Sequence, residues 1–507
     1  MAIAVAQAST FERPDSRALN AILRRSARHL PLIALLGLVI GIHVPTLHYY
    51  FFGDDFLVLG DIQSRAFPAY LRDAVLLRHL TPNWRPLTLL VYWGEFRLFG
   101  FDALPWRIVN LTVHLGSVVV LYTLVLSMTK RLFVALAAAT IFAASASAVH
   151  TVTYITAFPH VASEFLLLAS LLALHRYVES GERRAAWYWS SLALFVAGFL
   201  TNEGGVVIGA VLLVYFATAS YAHRRDLLDF AVKMAPFALA AGLLIGAFSG
   251  CGCQGVQDNY YTVGWHIPRE TWVYMSRLAY PVGAIPKDPS ALEWAWGSVV
   301  IGFAIFFLVR GPHIARFAAV GMVIGVMPYA PGKIWTATRY TYMSTPFFAV
   351  LVAVAAGWVH HHAVRLHRPA AHVLAAMALV AVAGLYSWQV IHQTTPFLKQ
   401  TDRWQLLTQD LRADYQTVPP GTTIYIVDDQ GMWSSAFWQP TWMVSVGRAL
   451  YGKGVSVQAL SSSDLQQLQK SLPPGEQRYV VQLQDGRLLP FQPQSARSGS
   501  VSPTTKD

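Results

Sequence analysis

Repeated apolar segments of bilayer length constrain this chain more than any other feature. Each of about eleven runs approaches the roughly 20 residues that a helix needs to cross a hydrocarbon core. Charged residues make up only 13% of the chain, against about 25% in an ordinary soluble protein, which excludes a soluble multi-domain enzyme. The predicted spans are residues 30–48, 108–127, 132–148, 153–174, 187–201, 205–221, 230–249, 294–309, 314–329, 342–359 and 370–391.

Basic residues in the short turns between these runs set the predicted orientation. Residues 1–29 carry Arg24, Arg25 and Arg28 just before the first run, which indicates a cytoplasmic N-terminus. Alternation then leaves long loops at 49–107 and 250–293, and the C-terminus, on the outer side. It places these basic turns inside: 130–131, 175–184, 223–225, 310–316 and 360–368.

The net charge of +11 is therefore explained by membrane topology, and no nucleic-acid partner is expected. We predict a multi-pass protein of the cell's inner (plasma) membrane, embedded in the lipid bilayer. Its transmembrane domain would span residues 30–391.

The polar C-terminal part has the pattern of a small α/β domain, predicted for residues 392–494 outside the membrane. Its predicted elements are an amphipathic helix at 403–412, a strand at 422–427, a helix at 463–472 and a hairpin at 479–489. The tail, 495–507, is rich in Ser, Pro and Thr and is predicted to be disordered. The predicted fold is thus an α-helical polytopic membrane protein with a small extracytoplasmic α/β domain.

An acidic pair, Asp54 and Asp55, follows the first span directly and would lie at the outer interface. Adjacent carboxylates raise each other's pKa, and burial further increases the free-energy cost of their charged forms. The pair therefore calls for a functional or structural explanation. One interpretation is a catalytic base or cation ligand. The other is a pair of loop acids that cap a helix beginning near Phe56.

Further polar residues fall in the outer halves of the predicted spans or at their outer ends. Asn110 and His114 share one face of the second span, and Glu164 lies inside the fourth. An ionisable residue within a span is a functional candidate by default, although packing histidines are common. Glu203 follows the fifth span as either a site acid or a turn acid.

Basic residues in a short outer loop oppose the positive-inside trend. Lys333 and Arg339 precede the tenth span. A membrane-surface phosphate would explain them, since arginine binds phosphate through a planar bidentate fork. Cation–π packing of Arg339 on Trp335 or Tyr340 is the alternative.

Taken in order, these motifs resemble the GT-C superfamily of polytopic glycosyltransferases. They are most similar to the protein O-mannosyltransferase-like branch, which includes the transmembrane and tetratricopeptide-containing mannosyltransferases and their bacterial relatives. Tetratricopeptide repeats are absent from this sequence. The matching residues are Asp54-Asp55, Asp61, Trp84-Arg85-Pro86-Leu87, Asn110, His114, Glu164, Asn202-Glu203 and Arg339-Tyr340-Thr341-Tyr342.

The resemblance implies an inverting transfer of a sugar from a polyprenyl-phosphate donor to an acceptor hydroxyl of a protein or glycan. Asp54 would be the base, Asp55 would orient it or the acceptor, and Arg339 with Lys333 would hold the lipid phosphate. Some members bind a divalent metal through an acidic motif in a later outer loop, but residues 149–153 carry no acid, so no cofactor is expected. The implied substrate-binding set is Arg339, Lys333, Tyr342, Arg85, His114, Asn110, Glu164 and Glu203.

Two other functions fit a polytopic protein. A transporter or flippase for a polyprenyl-linked or anionic solute would favour repeated halves with broken helices at the midplane, and neither stands out here. If the protein were a non-catalytic envelope scaffold, the outer-face acids and Arg339 would have no assigned function.

Overall fold

The computed structural model describes residues 29–75, 85–222, 227–250, 262–279, 289–332, 338–366, 368–428, 439–471, 478–484 and 487–490. Lys333, Trp84, the hairpin turn at 485–486 and the tail 495–507 therefore lie outside the described residues. Short 3-10 turns occur at Val44–His48, Ile155–Ala157, Glu203–Gly205 and Thr338–Thr341. The α-helices are α1 (Leu30–His43), α2 (Asp55–Gln63), α3 (Phe67–Val75), α4 (Pro86–Phe99), α5 (Ala103–Thr129), α6 (Leu132–Ala143), α7 (Ala146–Thr153), α8 (Phe158–Glu179), α9 (Ala185–Thr201), α10 (Val206–Ala222), α11 (Leu227–Gly250), α12 (His266–Ala279), α13 (Ala291–Arg310), α14 (His313–Val326), α15 (Thr345–Leu366), α16 (Arg368–Asp414), α17 (Gln439–Tyr451) and α18 (Ser462–Ser471).

Six helical segments among the described residues are long and apolar enough to cross a membrane. They coincide with six predicted spans, which confirms a multi-pass membrane protein: Leu30–His48, Ala103–Thr129, Ile155–Glu179, Leu228–Ser249, Ala291–Arg310 and Thr345–Arg365. Shorter apolar helices occupy four more predicted positions, at Leu132–Ala143, Ala185–Thr201, Glu203–Thr218 and His313–Val326. The last predicted span falls in the first half of α16. A full count of eleven spans stays a prediction.

Small residues let the central helices of the bundle pack closely. Helix α6 buries Ala135, Ala138 and Ala139 completely in a core shared with α5, α8 and α15. Apolar packing alone drives helix association weakly in lipid, so backbones that approach closely contribute much of the stability. This bundle holds the polar residues of α5 and α8 in fixed positions.

Helix α16 runs without interruption from the last apolar segment into the C-terminal domain. The predicted domain boundary at residue 392 therefore falls inside a continuous helix. The predicted amphipathic helix at 403–412 is the end of α16, and its Trp404, Leu407 and Leu411 are buried as the spacing requires.

A four-stranded sheet forms the rest of the C-terminal domain. Strand β1 (Thr423–Val427) pairs in parallel with β2 (Ser456–Leu460) and β3 (Arg478–Gln484), and β4 (Arg487–Pro490) pairs antiparallel with β3. The predicted strand, second helix and hairpin correspond to β1, α18 and β3–β4. Helix α17 was not predicted.

Helix α17 attaches the sheet domain to the first long loop. It packs along α2, and Gly60 lies so close that a Cβ there would come within 2.8 Å of the Ser445 carbonyl oxygen. Buried side chains from both sides form one apolar core, including Phe56 and Leu59 from α2 and Met443 and Val446 from α17. The C-terminal domain and the first loop thus share a core.

We expect Gly60→Val to weaken this docking. The added side chain would meet the Ser445 carbonyl and the Arg448 Cβ, which lies 3.2 Å from the built Cβ. Overpacking of this kind costs about 1–3 kcal/mol. Gly94→Val is the matched control, because a Cβ at Gly94 meets nothing within 4 Å. Thermal unfolding of the purified protein should show a lower Tm for Gly60→Val alone; equal Tm values would contradict the close approach.

Candidate active site

Asp54 lies at the tight turn that connects the first span to α2. Gly53 has a φ of 57°, a left-handed conformation that glycine adopts without strain. The Asp54 carboxylate accepts a hydrogen bond from the Trp442 indole Nε1 at 2.8 Å. The backbone N–H of Asp54 donates to the Tyr154 hydroxyl at 3.3 Å. The first loop, the sheet domain and the bundle therefore meet at this residue.

Asp55 has a different environment from its neighbour. Its side chain is only 1% exposed and accepts backbone N–H bonds from Phe52 and Thr156, both at 3.1 Å. Burial raises the pKa of Asp55 to about 6, while Arg107 and these N–H groups act against the rise. This carboxylate ties the turn to the start of the fourth span and is not open to a substrate.

Arg107 is a buried arginine near the N-terminal end of α5. Its guanidinium donates to the carbonyls of Tyr49 at 2.9 Å and Tyr50 at 2.8 Å, and also to the carbonyl of Thr153. These bonds satisfy backbone acceptors of two separate segments beside the acidic pair. The sequence analysis missed this residue, although an arginine near the start of an apolar span was a usable signal.

Arg339 packs against two aromatic rings and interacts electrostatically with Asp54. Its guanidinium carbon lies 5.4 Å from the Tyr154 ring centroid and 5.3 Å from that of Tyr340. Burial lowers the pKa of Arg339, but Tyr340, Tyr154 and the Asp54 carboxylate outweigh that effect and raise it. The cation–π contact with Tyr340, which was the alternative interpretation of Arg339, is therefore present, and the charges of Asp54 and Arg339 interact.

Arg85 and Glu203 form a bidentate ion pair. Nε and Nη2 of Arg85 donate to the two carboxylate oxygens, each at 2.6 Å. The neighbouring Asn202 amide lies 3.2 Å from His160 Nδ1, which is 3.1 Å from the Tyr329 hydroxyl. Glu203 is thus the partner of Arg85 and more than an ordinary turn acid.

Stacked rings connect this ion pair to Arg339. The rings of Tyr329 and Tyr340 stack at 4.8 Å with an interplanar angle of 16°. Tyr340 in turn lies under the Arg339 guanidinium. The motif residues from three distant parts of the chain therefore belong to one contact network.

The remaining predicted residues lie deeper in the bundle. His114 Nδ1 lies 2.7 Å from the Tyr342 hydroxyl, and the Asn110 amide donates to the carbonyls of Val152 and Tyr154 at 3.4 and 3.2 Å. Both Glu164 carboxylate oxygens are buried without a hydrogen-bond partner among the described residues. The contacts of Asn110 and His114 hold the segments that carry Tyr154 and Tyr342 in place.

Two further charged groups flank the network. Asp61 forms an ion pair with Arg65 at 3.2 Å on α2. Arg277 on α12 is 3% exposed and lies 3.8 Å from Glu293. Its Nε and Nη1 have no hydrogen-bond acceptor among the described residues. In the described part of the chain, no three His, Cys, Asp or Glu residues cluster as a metal ion would require.

Comparison with solved structures identifies the architecture. The crystal structure of ArnT from Cupriavidus metallidurans bound to undecaprenyl phosphate aligns at a TM-score of 0.55 and 12% identity, over 90% of this chain and 93% of that chain. Its apo structure aligns at 0.53 and 12% identity with the same coverage. The chain has the fold of ArnT. No protein-family model and no curated protein matches the sequence.

The predicted polytopic helical fold is therefore of the ArnT type, while membership of the GT-C superfamily stays a prediction. The O-mannosyltransferase-like branch stays a prediction, as does the role of each site residue. The charge pattern predicted that Asp54, Arg85, Glu203 and Arg339 share one membrane face, and the structure pairs Arg85 with Glu203 and brings Arg339 within electrostatic reach of Asp54. Tyr154 was noted only as a polar residue of the fourth span, and Trp442 was not anticipated.

Asp55→Asn should damage the fold. The two oxygens of the Asp55 carboxylate each accept a backbone N–H, and the NH2 group of an asparagine would replace one of these acceptors with a donor. Arg107 would also lose the negative charge near it. Removing one partner of a buried charged network costs about 3–5 kcal/mol. Thermal unfolding should show a much larger loss of stability for Asp55→Asn than for Asp54→Asn. Equal, small losses in both variants would contradict the structural role of Asp55.

Proposed function

We propose that this protein is an inverting glycosyltransferase that moves a sugar from a polyprenyl-phosphate donor to an acceptor hydroxyl. One observation carries the proposal: Tyr154 contacts both motif segments, because its hydroxyl accepts the Asp54 backbone N–H at 3.3 Å and its ring centroid lies 5.4 Å from the Arg339 guanidinium carbon, and Asp54 and Arg339 interact electrostatically. The fold adds support, because the similar ArnT structure holds undecaprenyl phosphate. A positioned base beside a fixed cation is the minimum that such a transfer requires.

Asp54 is the proposed general base. Its carboxylate is partly exposed at the end of the turn, whereas that of Asp55 is enclosed by backbone donors. The acceptor hydroxyl would lose its proton to Asp54 while its oxygen bonds to the anomeric carbon. The bond from that carbon to the phosphate oxygen breaks in the same step, and the anomeric configuration inverts.

Arg339 is the proposed ligand of the lipid phosphate. The departing polyprenyl phosphate gains negative charge, and a guanidinium already in place stabilises that charge without reorganising. Stacking on Tyr154 and Tyr340 holds the guanidinium plane, so its N–H groups present a fixed fork. Lys333, six residues earlier in the chain, is proposed as a second cation near the phosphate.

The other motif residues are proposed to shape the substrate site rather than to react. Arg85 and Glu203 neutralise each other at the outer end of the fifth span. Tyr342, His114, Asn110 and Glu164 fix the inner wall of the site. The site is proposed to face the extracytoplasmic side, following the distribution of basic turns. A hexose, mannose in particular, is the proposed sugar, on the basis of the motif resemblance alone.

Asp54→Asn should abolish transfer. Loss of a general base typically lowers the rate by about 10²–10⁴-fold, and the isosteric amide keeps the shape of the turn. Transfer from a polyprenyl-phosphate sugar and binding of that donor should be measured in the same preparation, with binding retained.

Asp102→Asn is the matched control. Asp102 caps α5 by accepting the Leu104 N–H at 3.1 Å, and asparagine caps a helix equally well. We expect wild-type transfer from this variant. Full activity of Asp54→Asn would refute the assigned base.

Arg339→Ala should weaken the use of the lipid donor. A charge-assisted bond to phosphate contributes about 1.5–3 kcal/mol, so kcat/KM for the donor should fall by about 10- to 100-fold. Arg97→Ala is the control, because Arg97 also stacks on a ring, 5.7 Å from the centroid of Trp93. It should retain wild-type kinetics. Unchanged donor kinetics in Arg339→Ala would remove the phosphate assignment.

A further inference from the structure

The contact between Trp442 and Asp54 joins residues that are far apart in the sequence. Trp442 belongs to α17 of the sheet domain, while Asp54 follows the first span, and the indole N–H donates to the carboxylate at 2.8 Å. We infer that Trp442 is a positioning residue for the base, so that the C-terminal domain completes the active site. This inference rests on the proposed role of Asp54.

The indole is held in place by its packing on the turn at Gly53 and by the docking of the helix that carries it. A Cβ built on Gly53 would lie 3.4 Å from the Trp442 ring, so the ring covers the turn at that glycine. Met443 and Val446, from the same helix, are completely buried in the core shared with the first loop. The direction of the N–H is therefore set by the docking of α17.

The chemistry of the indole suits a neighbour of a base. An indole N–H can donate but cannot accept, so it never competes with Asp54 for the acceptor's proton. It holds one oxygen, Oδ1, by its hydrogen bond. It also holds the carboxylate against the attraction of the positive charge of Arg339, which acts on Asp54. The indole thereby keeps the base and the phosphate ligand apart.

Two substitutions separate the N–H from the ring. Trp442→Phe keeps an aromatic ring over Gly53 but removes the donor, whereas Trp442→Gln keeps an N–H donor and removes the ring. We expect Trp442→Phe to lower kcat by about 10- to 100-fold, since bonds to charged groups contribute about 1.5–3 kcal/mol. KM for the lipid donor should change little, because the indole does not touch the phosphate ligand.

The pH profile distinguishes positioning from packing. A hydrogen bond to a carboxylate favours its charged form, so removing the donor should move the acid limb of kcat/KM to higher pH. That shift should appear in Trp442→Phe and be smaller in Trp442→Gln. Met443→Ala is the control: it should lower the Tm, because it empties part of the same core, and leave the acid limb in place.

The outcomes are distinct. Wild-type kcat and an unmoved acid limb in Trp442→Phe would overturn the inference while leaving the proposed function intact, provided Asp54→Asn is inactive. A loss of Tm and activity in Trp442→Phe with an unmoved acid limb, as expected for Met443→Ala, would also overturn it. Full activity of Asp54→Asn would instead refute the proposed function itself. A shift of the acid limb of kcat/KM to higher pH in Trp442→Phe, with a smaller shift in Trp442→Gln, supports the positioning role of Trp442.

Discussion

The structure of the site depends on how buried backbone groups are satisfied at the edge of the membrane domain. Arg107 donates to three carbonyls in two segments, and Asp55 accepts two backbone N–H groups, one from each side of the same junction. Their opposite charges compensate each other in a place that admits little water. Unmade bonds of this kind would each cost about 1–3 kcal/mol. The pair therefore fixes the turn that carries Asp54 against the Tyr154 segment.

This constraint separates the tasks of two adjacent acids. The Asp55 carboxylate is held by backbone N–H groups, whereas the Asp54 carboxylate stays partly exposed and interacts electrostatically with the Arg339 guanidinium. The sheet domain then adds the Trp442 indole from the other side. The Asp54 carboxylate, the Tyr154 ring and the Arg339 guanidinium thus come from the first loop, the bundle and the loop before α15, in that order. We propose that sugar transfer from a lipid phosphate uses this order.

Local patterns in the sequence predicted what depends on local physics. Apolar run length identified six spans, and β-branched and aromatic residues identified strands β1, β3 and β4 of the C-terminal domain. Helix α17 and strand β2 were not predicted, because Gly447 lowers the helix propensity of Gln439–Tyr451 and Ser456–Leu460 is only 5 residues long. The different environments of Asp54 and Asp55 were also not predictable from the sequence. They depend on partners such as Thr156 and Trp442, which are 101 and 388 residues away along the chain.

The most direct test of the account is an experimental structure of the protein with undecaprenyl phosphate. The account predicts a phosphate oxygen about 2.7–2.9 Å from the Arg339 guanidinium, the distance of a charge-assisted bond. We also expect the Asp54 carboxylate to stay bonded to Trp442 and to form no direct ion pair with Arg339. A lipid phosphate bound away from Arg339, or Asp54 paired directly with that arginine, would contradict it.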